Sequence, residues 1–308
     1  MDIKSQETKQ KTTDTKTEGE NVSSTPSSEP PIRHITRPAR TLLGWMHPET
    51  AHLVSGRTDD PALVEQDRAR IEAARKIVAS RPADIDQQGL IESAPPELDF
   101  HLAALRLTPA AAFFSEGWEV AVVDLARVCA FQPFVHTEDA LERTSVVTDL
   151  ITAAMITLPL PQDNENIPVT YDQNQKTLTV VSQNPNLRVT GVFCGPVNGQ
   201  PLLGFHVQIF PSFLQVAQYQ GRYYLRDGYH RAYGLLRRGV RRVPAFVRQV
   251  ATFEQLGIQP GMLPHDAVFG EHPPMLQDFL DDEVSGECTR PVQVKALTIH
   301  ALELNLPA

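Results

Sequence analysis

The feature that most limits the fold of this chain is a strand, a turn, a helix and a second strand encoded by residues 222–247. RYYLR forms an aromatic strand, and Asp227 and Gly228 follow it as a turn. Asp227 suits a helix cap, and Gly228 lets a neighbour approach the backbone without a Cβ clash. A helix with an apolar Ala and Leu face ends at Gly239, and VPAFV returns to a sheet.

The remaining sequence changes character near residue 160. The segment from Pro61 is the first strong helix, with Asp59 or Asp60 as its cap. Residues 94–159 stay mostly helical, although WEVAVVDLA fits a buried strand equally well. Beyond them, short β-branched runs alternate with turn residues.

These patterns predict an α+β fold with a helical N-terminal layer followed by a mixed β-sheet domain. The first 30 residues hold only three aliphatic or thioether side chains, too few to offset the entropy of ordering. We therefore predict a disordered tail over residues 1–35, a mostly helical region over 36–160, and an α+β domain with a C-terminal extension over 161–308.

Composition excludes several classes of protein. A net charge of -9 repels polyanions, so any anion site must be local. The most apolar run, Leu150–Leu160, is too short to cross a bilayer, and the N-terminus lacks an apolar signal segment, which predicts a cytoplasmic protein without a membrane partner. Cys129, Cys194 and Cys288 lack the spacing of a zinc site or a disulfide framework, and we expect them to be reduced.

The turn at Gly228 is the strongest candidate for chemistry. A helix that begins here presents unpaired amide N–H groups and a partial positive charge, which attract an anion. His230 and Arg231 add two potential donors at the same end. The arginines that follow the helix, up to Arg242, are expected to complement the helix dipole or to be solvated.

The sequence YYLRDGYHRAYGLLRRGVRRVPAFV resembles the core motif of the ParB/sulfiredoxin-like superfamily, and PSFLQVAQYQG upstream resembles the hairpin strand that precedes it. The resemblance covers residues 211–248 and implies a ParB/sulfiredoxin-like sheet with phosphate binding at the turn. Members include partition-type CTPases, free-serine kinases and sulfiredoxins that use ATP. The resemblance implies a ligand such as CTP, ATP or ADP with Mg²⁺, bound by Arg226, Asp227, Gly228, Tyr229, His230 and Arg231.

Departures from the family pattern narrow the chemistry. Tyr229 stands where a sulfiredoxin has its nucleophilic cysteine, which excludes that sulfur chemistry. Between residues 166 and 226 the only acid is Asp172, so a general base has to come from Asp172, Asp227 or another segment. No helix-turn-helix pattern follows the motif, so chromosome partitioning is not supported.

Three other features are weaker candidates. Residues 271–287 hold six acids without Lys or Arg, and fit either a magnesium ion that accompanies a nucleotide or an acidic surface that pairs with arginines or water. His206 is expected to be a packed strand residue. His265 and Asp266 follow a Gly- and Pro-rich loop that could face a cleft.

The sequence therefore favours a nucleotide- or phosphate-binding protein that works as a phosphotransferase or nucleotide hydrolase, with no catalytic residue or resident metal assigned. Two alternatives stay open. One is a nucleic-acid-associated module that uses the arginine stripe over 222–248, and the other is a non-catalytic adaptor that keeps only the fold. Whether the chain is an enzyme, and its oligomeric state, also stay open.

Overall fold

The computed structural model describes residues 36–55, 60–83, 87–161, 167–182, 184, 186–292 and 294–301. The predicted tail over residues 1–35 lies outside these ranges, as do the last seven residues. The described helices are α1 (His52–Ser55), α2 (Pro61–Ala79), α3 (Asp99–Arg106), α4 (Ala111–Ser115), α5 (Thr137–Arg143), α6 (Leu150–Thr157), α7 (Tyr229–Arg237) and α8 (His265–Phe269).

Thirteen described strands form four sheets. They are β1 (Thr36–Thr41), β2 (Ile91–Ser93), β3 (Glu119–Asp124), β4 (Phe134–His136), β5 (Val169–Asp172), β6 (Thr177–Ser182), β7 (Leu187–Val197), β8 (Gln200–Ile209), β9 (Gln215–Tyr219), β10 (Arg222–Asp227), β11 (Arg242–Gln249), β12 (Gly286–Pro291) and β13 (Lys295–His300). The sheet orders are β12-β1-β4, β10-β9-β11-β3-β2, β13-β6-β5 and β7-β8. Helices and several sheets together confirm the α+β class.

The five-stranded sheet positions the candidate site. Its β9 and β10 form an antiparallel hairpin, α7 follows β10, and β11 then lies parallel to β9. On the far side β3 pairs antiparallel with β11, and β2 pairs with β3. The sheet is thus mixed, and the strand, turn, helix and strand predicted over residues 222–247 are all present.

The boundary predicted near residue 160 is not a division of this fold. Strands β2 and β3 precede that residue and share a sheet with β9, β10 and β11, which follow it. Strand β1 likewise pairs with β12 near the end of the chain. Contacts group residues 35–308 into one unit because these pairings cross residue 160 repeatedly.

The region over residues 36–160 also holds more strand than predicted. WEVAVVDLA, which fitted either element, contains strand β3, whose last four residues are buried and pair with β11. Burial on both faces removes the alternation that usually identifies a strand. The start of α2 is as expected, since the Asp60 side chain accepts hydrogen bonds from the amides of Ala62 and Leu63, and Pro61 takes the first helical position.

Helix α7 is held tightly from two sides. Its residues from Arg231 to Leu236 are buried, and its neighbour α5 passes so close that only glycine fits at position 234. A Cβ there would overlap the carbonyl oxygen of Ala140. Trp118 and Phe246 belong to a smaller apolar cluster on the other side of the sheet.

The β-rich segment between residues 169 and 209 contributes little to this core. Strands β5, β6 and β13 pair with one another, and β7 and β8 form a long two-stranded ribbon closed by Asn198 and Gly199, both at positive φ. In the described part of the chain, no helix is both long and apolar enough to cross a bilayer.

Candidate anion-binding site

The turn between β10 and α7 leaves the start of the helix open. Gly228 is the N-cap residue, with φ of +98° in the left-handed region, and no side chain caps the helix. The amide N–H groups of Tyr229, His230 and Arg231 donate to no acceptor among the described residues. Three donors therefore point out of one helix end, where the helix dipole favours negative charge.

A small cavity lies at this helix end. Its volume is about 90 Å³, roughly that of three water molecules in the liquid. Its lining carries three arginines and one carboxylate: Gln132, Arg143, Ser212, Arg226, Asp227, Gly228, Tyr229, His230 and Arg231. The balance of charge favours an anion, and the volume fits an oxoanion group but not a nucleoside, since small-molecule pockets usually run from about 300 Å³ upward.

Asp227 lies inside this cavity and is the acid closest to the open amides. Its Oδ1 accepts a hydrogen bond of 2.6 Å from the Gly228 amide. Burial raises the pKa of the Asp227 carboxyl, and the guanidinium groups of Arg231 and Arg226 partly offset that rise. Because its pKa is raised, the Asp227 carboxyl holds a proton at a higher pH than a solvent-exposed aspartate does.

Arg231, which the sequence suggested as a ligand donor, uses its guanidinium for hydrogen bonds within the protein. The side chain is buried, and Nη1 donates to the carbonyl oxygens of Ser212 (2.5 Å) and Ile156 (3.2 Å), while Nη2 donates to Ser212 Oγ at 2.7 Å. Burial lowers the pKa of the guanidinium to about 10. Arg231 thus fixes the loop before β9 to the end of α6, and lends charge to the cavity.

Tyr229 and Arg226 also have partners within the protein. The Tyr229 hydroxyl donates to the Leu225 carbonyl and accepts from the amides of Phe131 (2.9 Å) and Gln132 (3.3 Å). Only the backbone of Tyr229 is therefore open to a ligand. Arg226 donates to Gln215 Oε1 at 3.2 Å, and its guanidinium lies 5.5 Å from the ring centre of Trp118.

Arg143 is the site residue that the sequence did not indicate. It comes from the last turn of α5, is exposed, and lines the cavity together with the residues of the turn. Among the described residues its guanidinium makes no hydrogen bond or ion pair, so all its donors are available. The segment TEDALERT has the composition of an ordinary surface helix, and no local signal ties it to a turn more than 80 residues later.

The other candidates lie away from this cavity. Asp172 closes a turn after β5 by accepting from the amides of Asn174 and Gln175. His206 lies on β8 as expected but is exposed, and not packed as predicted. His265 stacks on Phe269, with ring centres 4.6 Å apart.

The acidic segment over residues 271–287 pairs with arginines from elsewhere in the chain. Arg81 bridges Asp278 and Asp281 at 2.9 Å each, and Arg40 reaches Asp282. No group of three or more His, Cys, Asp or Glu side chains in the described ranges is arranged to hold a metal ion.

The arginines of the stripe over 222–248 mostly have local roles. Arg238 donates to Thr144 Oγ1 and to the Leu141 carbonyl at the end of α5. Arg241 pairs with Asp124, Arg242 with Glu92, and Arg222 donates to the Gly270 carbonyl. The arginines after the helix were expected to complement its dipole or to be solvated; instead Arg238, Arg241 and Arg242 bind α5, Asp124 and Glu92.

Comparisons of this chain with protein-family models, with curated proteins and with solved structures find no match.

Proposed function

We propose that this chain binds a phosphorylated small molecule, with one phosphate group at the N-terminus of α7. The observation that carries the proposal is the set of three amides, from Tyr229, His230 and Arg231, that have no acceptor within the described residues and share one helix end. An anion there would satisfy three otherwise unpaired donors at once.

The surroundings of these amides support a phosphate over a neutral ligand. Arg143 offers a guanidinium that has no hydrogen-bond or ion-pair partner among the described residues, and planar guanidinium donors match phosphate oxygens. Gly228, at a φ of +98°, supplies the left-handed backbone from which α7 begins, and a Cβ at this position would press on Leu214. The cavity fits one phosphate, so the sugar and base of CTP, ATP or ADP would lie outside it.

The order of β9, β10, α7 and β11 agrees with the ParB/sulfiredoxin-like resemblance, which remains part of the proposal. If phosphate transfer or hydrolysis occurs, Asp227 is the carboxyl placed to accept or hold a proton, because it lines the cavity. Magnesium would arrive with the nucleotide. The arginine contacts described above leave the nucleic-acid alternative without a specific supporting observation.

Calorimetric titration tests the proposal, using inorganic phosphate, CTP, ATP and ADP, each with and without Mg²⁺. We expect saturable binding of at least one of them, and about tenfold weaker binding by Arg143→Ala, since one charge-assisted hydrogen bond is lost. The melting temperature should not change, because Arg143 is exposed and forms no hydrogen bond or ion pair within the described part of the chain.

The matched control is Arg237→Ala, an exposed arginine at the opposite end of α7. It removes the same charge from the same helix and should leave the affinity unaltered. The proposal fails if the wild-type chain shows no saturable heat with any of the four ligands, or if the two arginine variants bind alike. Duplex DNA in the same titration separates the nucleic-acid alternative, whose affinity would fall steeply with salt.

A further inference from the structure

The ribbon formed by β7 and β8 has one face made entirely of apolar residues. In the observed register Leu203, Phe205, Val207 and Ile209 of β8 lie opposite Cys194, Val192, Val189 and Leu187 of β7. Cross-strand partners share a face, and alternate residues along a strand share it too. We call these eight side chains the apolar ribbon face: Leu187, Val189, Val192, Cys194, Leu203, Phe205, Val207 and Ile209.

The opposite face of the ribbon differs in character. It presents Arg188, Gln208 and His206 together with Leu202, which is 42% exposed, and the ring of Phe193 folds over Gly204 and lies beside His206. Phe193 is thus covered in part by its own ribbon. The ribbon is amphipathic, and such an alternation normally marks a sheet with one face buried.

The apolar ribbon face is not buried within this chain. Leu203 is 64% exposed, Val192 60%, Val189 44% and Phe205 39%. The described residues cover this face mainly toward the base of the ribbon, where Leu187 is fully buried and Val207 and Ile209 are partly buried. A contiguous exposed apolar patch of this kind marks an interaction surface, and an isolated two-stranded ribbon is itself only marginally stable in water.

We propose that this face binds the same face of a second copy of the chain, so that two ribbons stack into a four-stranded sandwich. Two copies with a net charge of -9 repel one another over most of their surfaces. Between residues 187 and 210 the sequence has a single charged side chain, Arg188, and the register places it on the opposite face. The apolar ribbon face is therefore where two copies meet without repulsion.

The twist of the ribbon also favours a second copy of the chain as the partner of this face. Two ribbons of the same right-handed twist pack face to face at about -30° and about 10 Å apart. A lipid bilayer fits less well, because the outer edges of β7 and β8 carry backbone groups that pair with no described strand, and open sheet edges do not occur in hydrocarbon.

The area of the apolar ribbon face indicates how stable the proposed dimer can be. Ten residues of β8 span about 34 Å, and the two strands are about 10 Å wide with their side chains, so each copy offers roughly 340 Å² in flat projection. This is below the standard of about 800 Å² per partner, so the expected dimer is weak and reversible.

Sedimentation across a concentration series from about 1 to about 100 μM tests the dimer. We expect the mass to rise from that of the 34.2 kDa chain toward twice that value. The variant Val192→Asp/Leu203→Asp places two charges on the apolar ribbon face and should weaken the dimer at least 100-fold. The matched control, His206→Asp/Gln208→Asp, adds the same charges to the opposite face of the same ribbon and should still dimerise.

A second measurement does not depend on how the variants fold. Cys194 is the exposed cysteine of the three and lies on the apolar ribbon face. In the unaltered chain its alkylation by a maleimide should slow as concentration rises through the dimer range. A wild-type monomer at every concentration, a Cys194 rate that ignores concentration, or equal loss of dimer in both variants would overturn the proposal. So would a monomer that co-sediments with neutral phosphatidylcholine vesicles, because the occupant would then be lipid.

Discussion

The imidazole rings of His136 and His230 are stacked, with centroids 5.6 Å apart and planes 10° from parallel. His136 ends β4, and His230 lies in the first turn of α7. Nδ1 of His136 and Nε2 of His230 are buried and have no hydrogen-bond partner within the described residues. Burial lowers the pKa of both rings, that of His230 to about 4. Asp139 raises the pKa of both rings and Arg143 lowers both. Arg37 and Arg290 also lower the pKa of His136, and Arg231 lowers that of His230.

This pair predicts a loss of stability in mild acid. When the pKa of a histidine is lower in the folded than in the unfolded chain, the unfolded chain binds the proton first as the pH falls. The free energy of unfolding therefore decreases below about pH 6.5. For His230 the fall should reach about 3 kcal/mol near pH 4. Urea unfolding from pH 7 to pH 4.5 measures it. His230→Gln should flatten the pH dependence, whereas His52→Gln, at an exposed histidine, should leave the slope as in the wild type.

Arg231→Ala is expected to lower the free energy of unfolding by about 3 kcal/mol, because it leaves three acceptors on Ser212 and Ile156 without their donor and removes the positive charge that offsets the burial of the Asp227 carboxyl. Arg231→Lys should recover only part of this, since an ammonium cannot span Ser212 and Ile156 as the planar guanidinium does. Chemical denaturation of both variants provides the measurement. A loss below about 0.5 kcal/mol, the range usual for surface changes, would mean that Arg231 is not the structural clamp described here.

Part of the order of elements was predictable, because β-branched runs, turn residues and helix caps are local signals, whereas strands β1, β2, β4, β12 and β13 were not predicted. The strands over residues 169–249 and the start of α2 were found this way. The assembly of the site was not predictable. Arg143 and His136 reach the turn only because α5 packs on α7, and nothing in either segment encodes that contact. The role of Arg231 was not predictable either, because the local sequence is the same whether its guanidinium binds a ligand or a carbonyl oxygen from a distant segment.

Gly234→Ala should destabilise the protein, although intrinsic helix propensity favours alanine over glycine by up to about 1 kcal/mol. The added Cβ would overlap the Ala140 carbonyl and lie 2.6 Å from Thr144 Oγ1, so α5 would have to move away from α7. Overpacking of this kind typically costs about 1 to 3 kcal/mol. Thermal melts of the variant and the wild type decide the sign, and a higher melting temperature for the variant would contradict the tight packing of these two helices.

Gly228 and Gly221 form a matched pair for testing the turn, because both have positive φ, +98° and +79°. Alanine at either position should lower the free energy of unfolding by about 1 to 2 kcal/mol, because a residue with a Cβ is strained in the left-handed conformation. At Gly221 the Cβ would meet nothing within 4 Å, whereas at Gly228 it would lie 3.1 Å from Leu214 Cα, so the turn that begins α7 would have to shift.

We therefore expect Gly228→Ala to be the less stable of the two glycine variants and to lose phosphate binding, while Gly221→Ala binds as the wild type does. Urea unfolding and calorimetric titration with inorganic phosphate supply the two readouts. If both variants lose the same stability and keep the same affinity, Gly228 serves only the backbone turn. The case for a phosphate at this helix end would then rest on the three open amides and on Arg143.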